Sequence, residues 1–275
     1  LKETGDQYFR DPRRPNLRLQ DGLKLKMLCT DCEARFSRFE TPFAQRVFRL
    51  LMAHPGTVVQ YEAFALRLLI SVHWRNLALD LDTDISPAQW RGELVAVEAQ
   101  WREWLLDRGP LEPFGRVHLF VTDFPLPGSP QYNVYLTRDA DASAMWTEGR
   151  LLAYYVKFGK LISCAEIGGL DPEKWVNTLV SADAGAVDHS SMQILDGEFG
   201  NFLIDRARRF EVQRQHGWAG MSPRQRQKAL ARVRQNHERL ANSEMGRAIL
   251  ADGAWKKSIP RVGRNEQCPC GSGQK

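Results

Sequence analysis

Through the first hundred residues the apolar positions recur at helical spacing, and from residue 116 the period changes to two. Residues 1–26 are polar, rich in Arg, Asp, Pro and Asn, and Asp11-Pro12-Arg13-Arg14-Pro15-Asn16 reads as loop. Arg35 to Glu40 already read as helix, and Thr41-Pro42 supplies a fresh N-cap with Pro at the first helical position. That helix carries Phe43, Val47, Phe48, Leu50 and Leu51 to about residue 53, and His54-Pro55-Gly56 ends it. Tyr61 to about Leu79 is apolar nearly all round, which predicts a buried helix. A third helix starts at Ser86-Pro87, spaces Trp90, Leu94, Val97, Trp101, Trp104 and Leu105 along one side, and closes at Gly109-Pro110.

Alternation then predicts strands over 117–121 and 132–136, and a hairpin of 151–156 with 161–166 turning at Phe158-Gly159-Lys160. Asp171-Pro172 predicts a short helix through Trp175 to Val180, and Glu198–His216 and Ser222–Leu240 read as two late helices. Helices first, then a run of strands, then helices give an α+β class with a small antiparallel sheet and a short tail. The predicted division is 1–54 (a partial zinc-finger-like segment and first helix), 55–245 (an α+β body) and 246–275 (linker and tail).

Composition narrows the function classes. The chain has 275 residues, 43% hydrophobic and 26% charged, which excludes disorder as its main state. No stretch of about 18 apolar residues occurs, so no membrane span or membrane partner is expected, and no signal peptide is visible. Net charge is +5, but residues 201–275 hold 16 Lys+Arg against 6 Asp+Glu while the rest of the chain is mildly acidic. A basic C-terminal third suggests a nucleic acid or other polyanion partner, with a solvated basic helix as the alternative. There is no phosphate-binding loop of the G-x-x-x-x-G-K-[ST] type and no dinucleotide glycine fingerprint.

The five cysteines fall as a pair, a singleton and a pair: Cys29/Cys32, Cys164 and Cys268/Cys270. An odd count without a secretion signal argues against a disulfide scaffold and for a reducing, cytoplasmic setting in which close pairs ligate metal. Cys164, on a predicted strand, is expected to be a small buried hydrophobe. Cys29-x-x-Cys32 sits where irregular chain enters a helix, and the free N–H groups of a helix start stabilise thiolate. A redox pair and two structural thiols are the alternatives there.

Cys268-Pro269-Cys270-Gly271-Ser272-Gly273, following Arg264-Asn265, bends two thiolates onto one ion, with Pro stiffening the bend and Gly permitting it. The string resembles the SEC-C motif, the small zinc module at the end of the SecA translocation ATPase and of many bacterial proteins. The resemblance implies zinc held by Cys268 and Cys270 with two further ligands beyond Lys275, and a tail able to engage protein partners. The chain opens without Met and stops just after this pair, which predicts a fragment with two incomplete zinc sites. The N-terminal string Leu28-Cys29-Thr30-Asp31-Cys32-Glu33-Ala34-Arg35-Phe36, with Ser71-Val72-His73-Trp74-Arg75 later, resembles bacterial proteins related to HNH-type zinc fingers. That likeness implies that Cys29 and Cys32 are the second half of a treble-clef site, and that any nuclease base lies upstream of Leu1.

No catalytic residue can be placed on the chain. His73, beside Trp74 on a buried helix, and His118, mid-strand, are expected to be structural, and Trp90, Trp101 and Trp104 to be core. Asp188-His189-Ser190-Ser191 offers nucleophile-type residues, but adjacency in sequence does not give triad geometry. Three function classes follow: a zinc-containing adaptor or nucleic-acid-associated protein, a piece of an HNH-like nuclease, and a protein-binding module acting through the tail.

Overall fold

A computed structural model describes residues 16, 27–53, 58–83, 86–121, 132, 135–137, 139–169, 175, 177–187 and 197–241. The chain divides into two units, Leu23–Gln215 and Leu1–Gly22 with His216–Lys275.

The larger unit begins with α1 (Thr30–Phe43), which passes through a π-helical turn (Ala44–Phe48) into α2 (Arg49–Ala53). The expected restart at Thr41-Pro42 is corrected here, because Pro42 lies inside the helix. Proline has no N–H to give the preceding turn; the Ala44 N–H is shared between the carbonyls of Glu40 and Thr41, and the ladder widens to the π pattern over Ala44–Phe48. Continuity also serves packing, since Phe36, Phe39, Phe43, Val47 and Leu51 form one buried stripe across the proline.

β1 (Val59–Tyr61) leads into α3 (Phe64–Asp82), whose burial nearly all round matches its sequence. A 3₁₀ turn (Ala88–Trp90) starts α4 (Arg91–Leu105), which buries Leu94, Val97, Trp101 and Leu105.

Five strands follow: β2 (Val117–Val121), β3 (Ala140–Thr147), β4 (Arg150–Phe158), β5 (Leu161–Glu166) and β6 (Leu179–Val180). They form an antiparallel sheet in the order β3-β4-β5-β2-β6, and β7 (Gly185–Val187) pairs separately with β1. The β4–β5 hairpin closes through Gly159-Lys160, with Phe158 opposite Leu161 and Gly159 at φ 63°, a conformation that favours glycine. Along β3–β4 the register slips between Met145 and Trp146, leaving Leu152 as an extra residue on β4.

Helices cover both faces of this sheet. Leu119, Leu151, Tyr154, Leu161 and Ala165 pack with the α1, α3 and α4 residues Phe36, Leu69 and Trp101. Phe120, Met145, Tyr155, Ile162 and Cys164 pack with Phe199 and Leu203 of α5 (Gly197–Ala219) on the other side. Double coverage explains why β2 and β5 are buried at every position, and each large side chain so enclosed contributes about 1.5–3 kcal/mol.

Two sequence expectations in this region are corrected. Residues 132 and 135–137 are helical rather than extended: Tyr132, Tyr135 and Leu136 are spaced i, i+3, i+4 and gather on Ala207 and Phe210. The helix expected to run to Val180 does not extend that far, since Asn177 adopts a left-handed φ of 62° and Leu179–Val180 joins the sheet beside β2; its expected start at Asp171-Pro172 lies outside the described residues. In the smaller unit, α6 (Pro223–Ala241) starts with Pro in its first turn, behind Ser222. The Ser222 hydroxyl accepts from the Gln225 N–H, while Asn16 accepts from the Ser222 N–H at 2.9 Å and donates to the Gly220 carbonyl.

Candidate metal centre

Cys29 is the N-cap of α1, with extended backbone (φ −78°, ψ 165°), and its carbonyl accepts the Glu33 N–H at 2.9 Å. Its thiol makes no full capping bond, yet the backbone N–H and the thiol of Cys32 lie close enough to stabilise a Cys29 thiolate and lower its pKa. The same contact raises the Cys32 thiol, which is also partly desolvated. Cys29 is exposed and Cys32 half-buried, and both line a cavity of about 140 Å³ walled by Met27, Leu28, Phe36, Trp74 and Leu105.

The wall of that cavity is held by bonds between α1, α3 and the end of α4. Trp74 stands edge-on to Phe36 and donates to Glu98 at 2.7 Å, while Arg75 pairs with Glu40 at 2.8 Å and lies over the Phe36 ring. Asp107, left-handed at φ 59°, accepts from Arg35 and Arg67, both at 2.7 Å. Their hydrogen bonds, Arg67 first, pull its carboxyl below the usual range. The Ser71-to-Arg75 string singled out in the sequence therefore braces the middle and later turns of α1, through Phe36 and Glu40.

Two thiols can supply half of the tetrahedral shell that structural zinc takes. Among the described residues no group of three or more His, Cys, Asp or Glu side chains gathers around a common point, so the remaining ligands do not come from them. The chemistry of the donors fits zinc, and their number fits half a site. Cys268 and Cys270 lie outside the described residues, as does Asp188-His189-Ser190-Ser191.

The other chemistry-bearing residues are enclosed. His73 is fully buried, its Nε2 2.8 Å from the Ser163 hydroxyl, and burial lowers its pKa to about 3, so it is a neutral core histidine. His118 is bracketed by Thr178 at 2.9 Å and Glu166 at 2.5 Å, and the Thr178 hydroxyl donates onward to the Trp175 carbonyl. Thr178 is completely buried and already committed, so this Thr-His-Glu chain presents no nucleophile to a substrate. Glu166 is desolvated, but bonds from His118 and Arg116 outweigh that and lower its pKa. Cys164 is fully buried, and burial raises its thiol well above the ordinary value.

Sequence reasoning missed the apolar wall beside the cysteines, because residues 27–36, 74 and 105 meet only in three dimensions. It also missed a polar group on the other side of the sheet. There Tyr135 donates to Asp141 at 2.6 Å and meets the Tyr155 hydroxyl at 2.9 Å, while Arg206 makes two bonds to the same carboxylate.

In comparison with known proteins, residues 264–275 match the SEC-C motif. No curated protein and no solved structure matches. The likeness of the N-terminal segment to HNH-type fingers finds no support in these comparisons. Among the described residues no helix is long and apolar enough to cross a membrane.

Proposed function

We propose that this is a zinc-binding adaptor that engages nucleic acid through its basic C-terminal third. The observation that carries the metal part is the SEC-C match over residues 264–275, which contains Cys268 and Cys270. The exposed Cys29/Cys32 pair at the start of α1 supports a second zinc half-site, because ligands drawn from a first helical turn are what a treble-clef finger uses for its second half. The nucleic-acid part rests on α6, where Arg224, Lys228 and Arg234 are all exposed.

Anisotropy of a labelled DNA duplex across a salt series tests the nucleic-acid part. Affinity is expected to fall as salt rises, because phosphate contacts release counterions. Replacing Arg224, Lys228 and Arg234 by Ala should flatten the slope by roughly 0.9 for each phosphate that the protein no longer neutralises. Binding that ignores both salt and these substitutions would remove nucleic acid from the proposal. Zinc measured per chain, with and without Cys268→Ser/Cys270→Ser, tests the metal part; equal zinc in the two would remove the tail as a ligand source.

A further inference from the structure

On the side of the sheet away from α1, α3 and α4, the outermost strand β3 and helix α5 flank an open groove with a cavity of about 370 Å³. We infer that this groove binds an extended peptide, which adds as a strand to the edge of β3 that faces away from β4 and presents a basic side chain to Glu198.

Several observations carry this. β3 ends the strand order, and among the described residues only β4 pairs with it, so along its eight residues the alternate backbone N–H and C=O groups point away from β4 at a sheet edge. Such an edge is a template for another strand, and β3 has neither the proline nor the lysine that commonly blunts one. The second wall is one face of α5: Glu198, Asn201, Phe202, Asp205, Arg206 and Arg209 follow the i, i+3, i+4, i+7 spacing of a single side. The helix runs back along the strand, because Arg206 bonds Asp141 near the start of β3 while Phe202 packs on Tyr155, the partner of Ser143. An extended chain laid between them would lie parallel to both.

The floor and rim define the chemistry of the guest. Trp146 lines the groove with 42% of its surface exposed, and Phe202 is only partly buried, so alternate side chains of a strand would find apolar contact there. The two arginines of the wall are already neutralised, Arg206 by Asp141 and Arg209 by Asp205 at 2.7 Å. Glu198 has no ion pair among the described residues, so the groove's remaining charge is negative and the complementary guest is cationic.

Selection of random dodecapeptides displayed on phage against the full chain tests this, followed by anisotropy with the enriched peptide. The enriched sequences should alternate apolar residues and carry Lys or Arg. Their affinity should fall at least tenfold against Glu198→Lys, a surface change checked for folding by circular dichroism. It should fall similarly when alternate peptide nitrogens are methylated, which removes ladder donors without touching the protein. No enrichment, or binding indifferent to both changes, overturns the inference. Self-association that saturates the groove and is unaffected by Glu198→Lys would equally overturn it.

Discussion

Between β3, β4 and α5 of the larger unit, Tyr135, Tyr155, Asp141 and Arg206 bond to one another, and Lys157, 1% exposed, donates to the carbonyls of Asp139 and Gly159. At the start of α1, Cys29 stands exposed with Cys32 beside it and no third ligating group within the described residues. Both places concentrate groups capable of chemistry. The first has every major donor and acceptor committed to a neighbour, and a committed buried network fixes how elements pack. The second has two thiols and no third ligating group among the described residues, the arrangement that the proposed zinc half-site requires.

Breaking the packed side should cost stability and leave metal binding intact. The largest effect is expected for Trp101→Ala, which empties a completely buried site behind His73 and Tyr154 and frees the Phe114 carbonyl from its indole. A loss of roughly 3–5 kcal/mol in denaturant unfolding follows from the transfer and cavity terms together. Arg206→Ala should cost about 3 kcal/mol by leaving Asp141 enclosed without its cation, and should loosen Tyr135 with it.

The pH dependence of stability sharpens the comparison. Burial lowers Lys157 to about 8, whereas the unfolded chain keeps that proton to about 10.4. Between those values the unfolded state binds more protons, so Lys157 itself adds stability as pH rises from 8 to 10.5, by up to about 3 kcal/mol. Cys164, Tyr135, Tyr154 and Tyr155, all raised by burial, remove stability over the upper part of that range. The lysine's share is the wild-type curve minus that of Lys157→Met, and this difference should climb. His73 has the same sign at lower pH. Its folded value near 3 lies below the ordinary 6.5, so stability is lost as pH falls from 6.5 toward 3. Asp139, raised by burial to about 6, works against it between about 4 and 6, because the folded state then holds the extra proton. Melting curves across pH 3–10.5 for the wild type and Lys157→Met would check these slopes. The smallest stability effect, within about 0.5 kcal/mol, is expected for Cys29→Ser, an exposed position with no full capping bond.

The sequence was most informative where one physical signal dominated. Helices α3 to α6 were legible from apolar spacing, and the β4–β5 hairpin from alternation around Gly159. β3 was not, because Ala140, Asp141, Ala142, Ser143 and Ala144 have little strand preference, and pairing with β4 imposes the conformation. Tyr132 to Leu136 misled in the opposite way, since aromatic and branched residues suited to strands also place three side chains on one helical face. Pro42 was read by its commonest position rather than by the buried stripe that continues past it. For the candidate site, the helix start and the paired thiols were readable, but the cleft beside them required residues from α1, α3 and α4 to converge. The groove between β3 and α5 was illegible for the same reason.

Cobalt titration of the full chain tests the central claim most directly, because thiolate-bound Co²⁺ shows a near-ultraviolet charge-transfer absorption that zinc displaces. The account predicts that this band appears, that zinc bleaches it, and that Cys29→Ser/Cys32→Ser diminishes it while the fold and melting temperature stay unchanged. A band of equal strength with and without Cys29 and Cys32 would contradict the reading of the α1 start as a metal half-site.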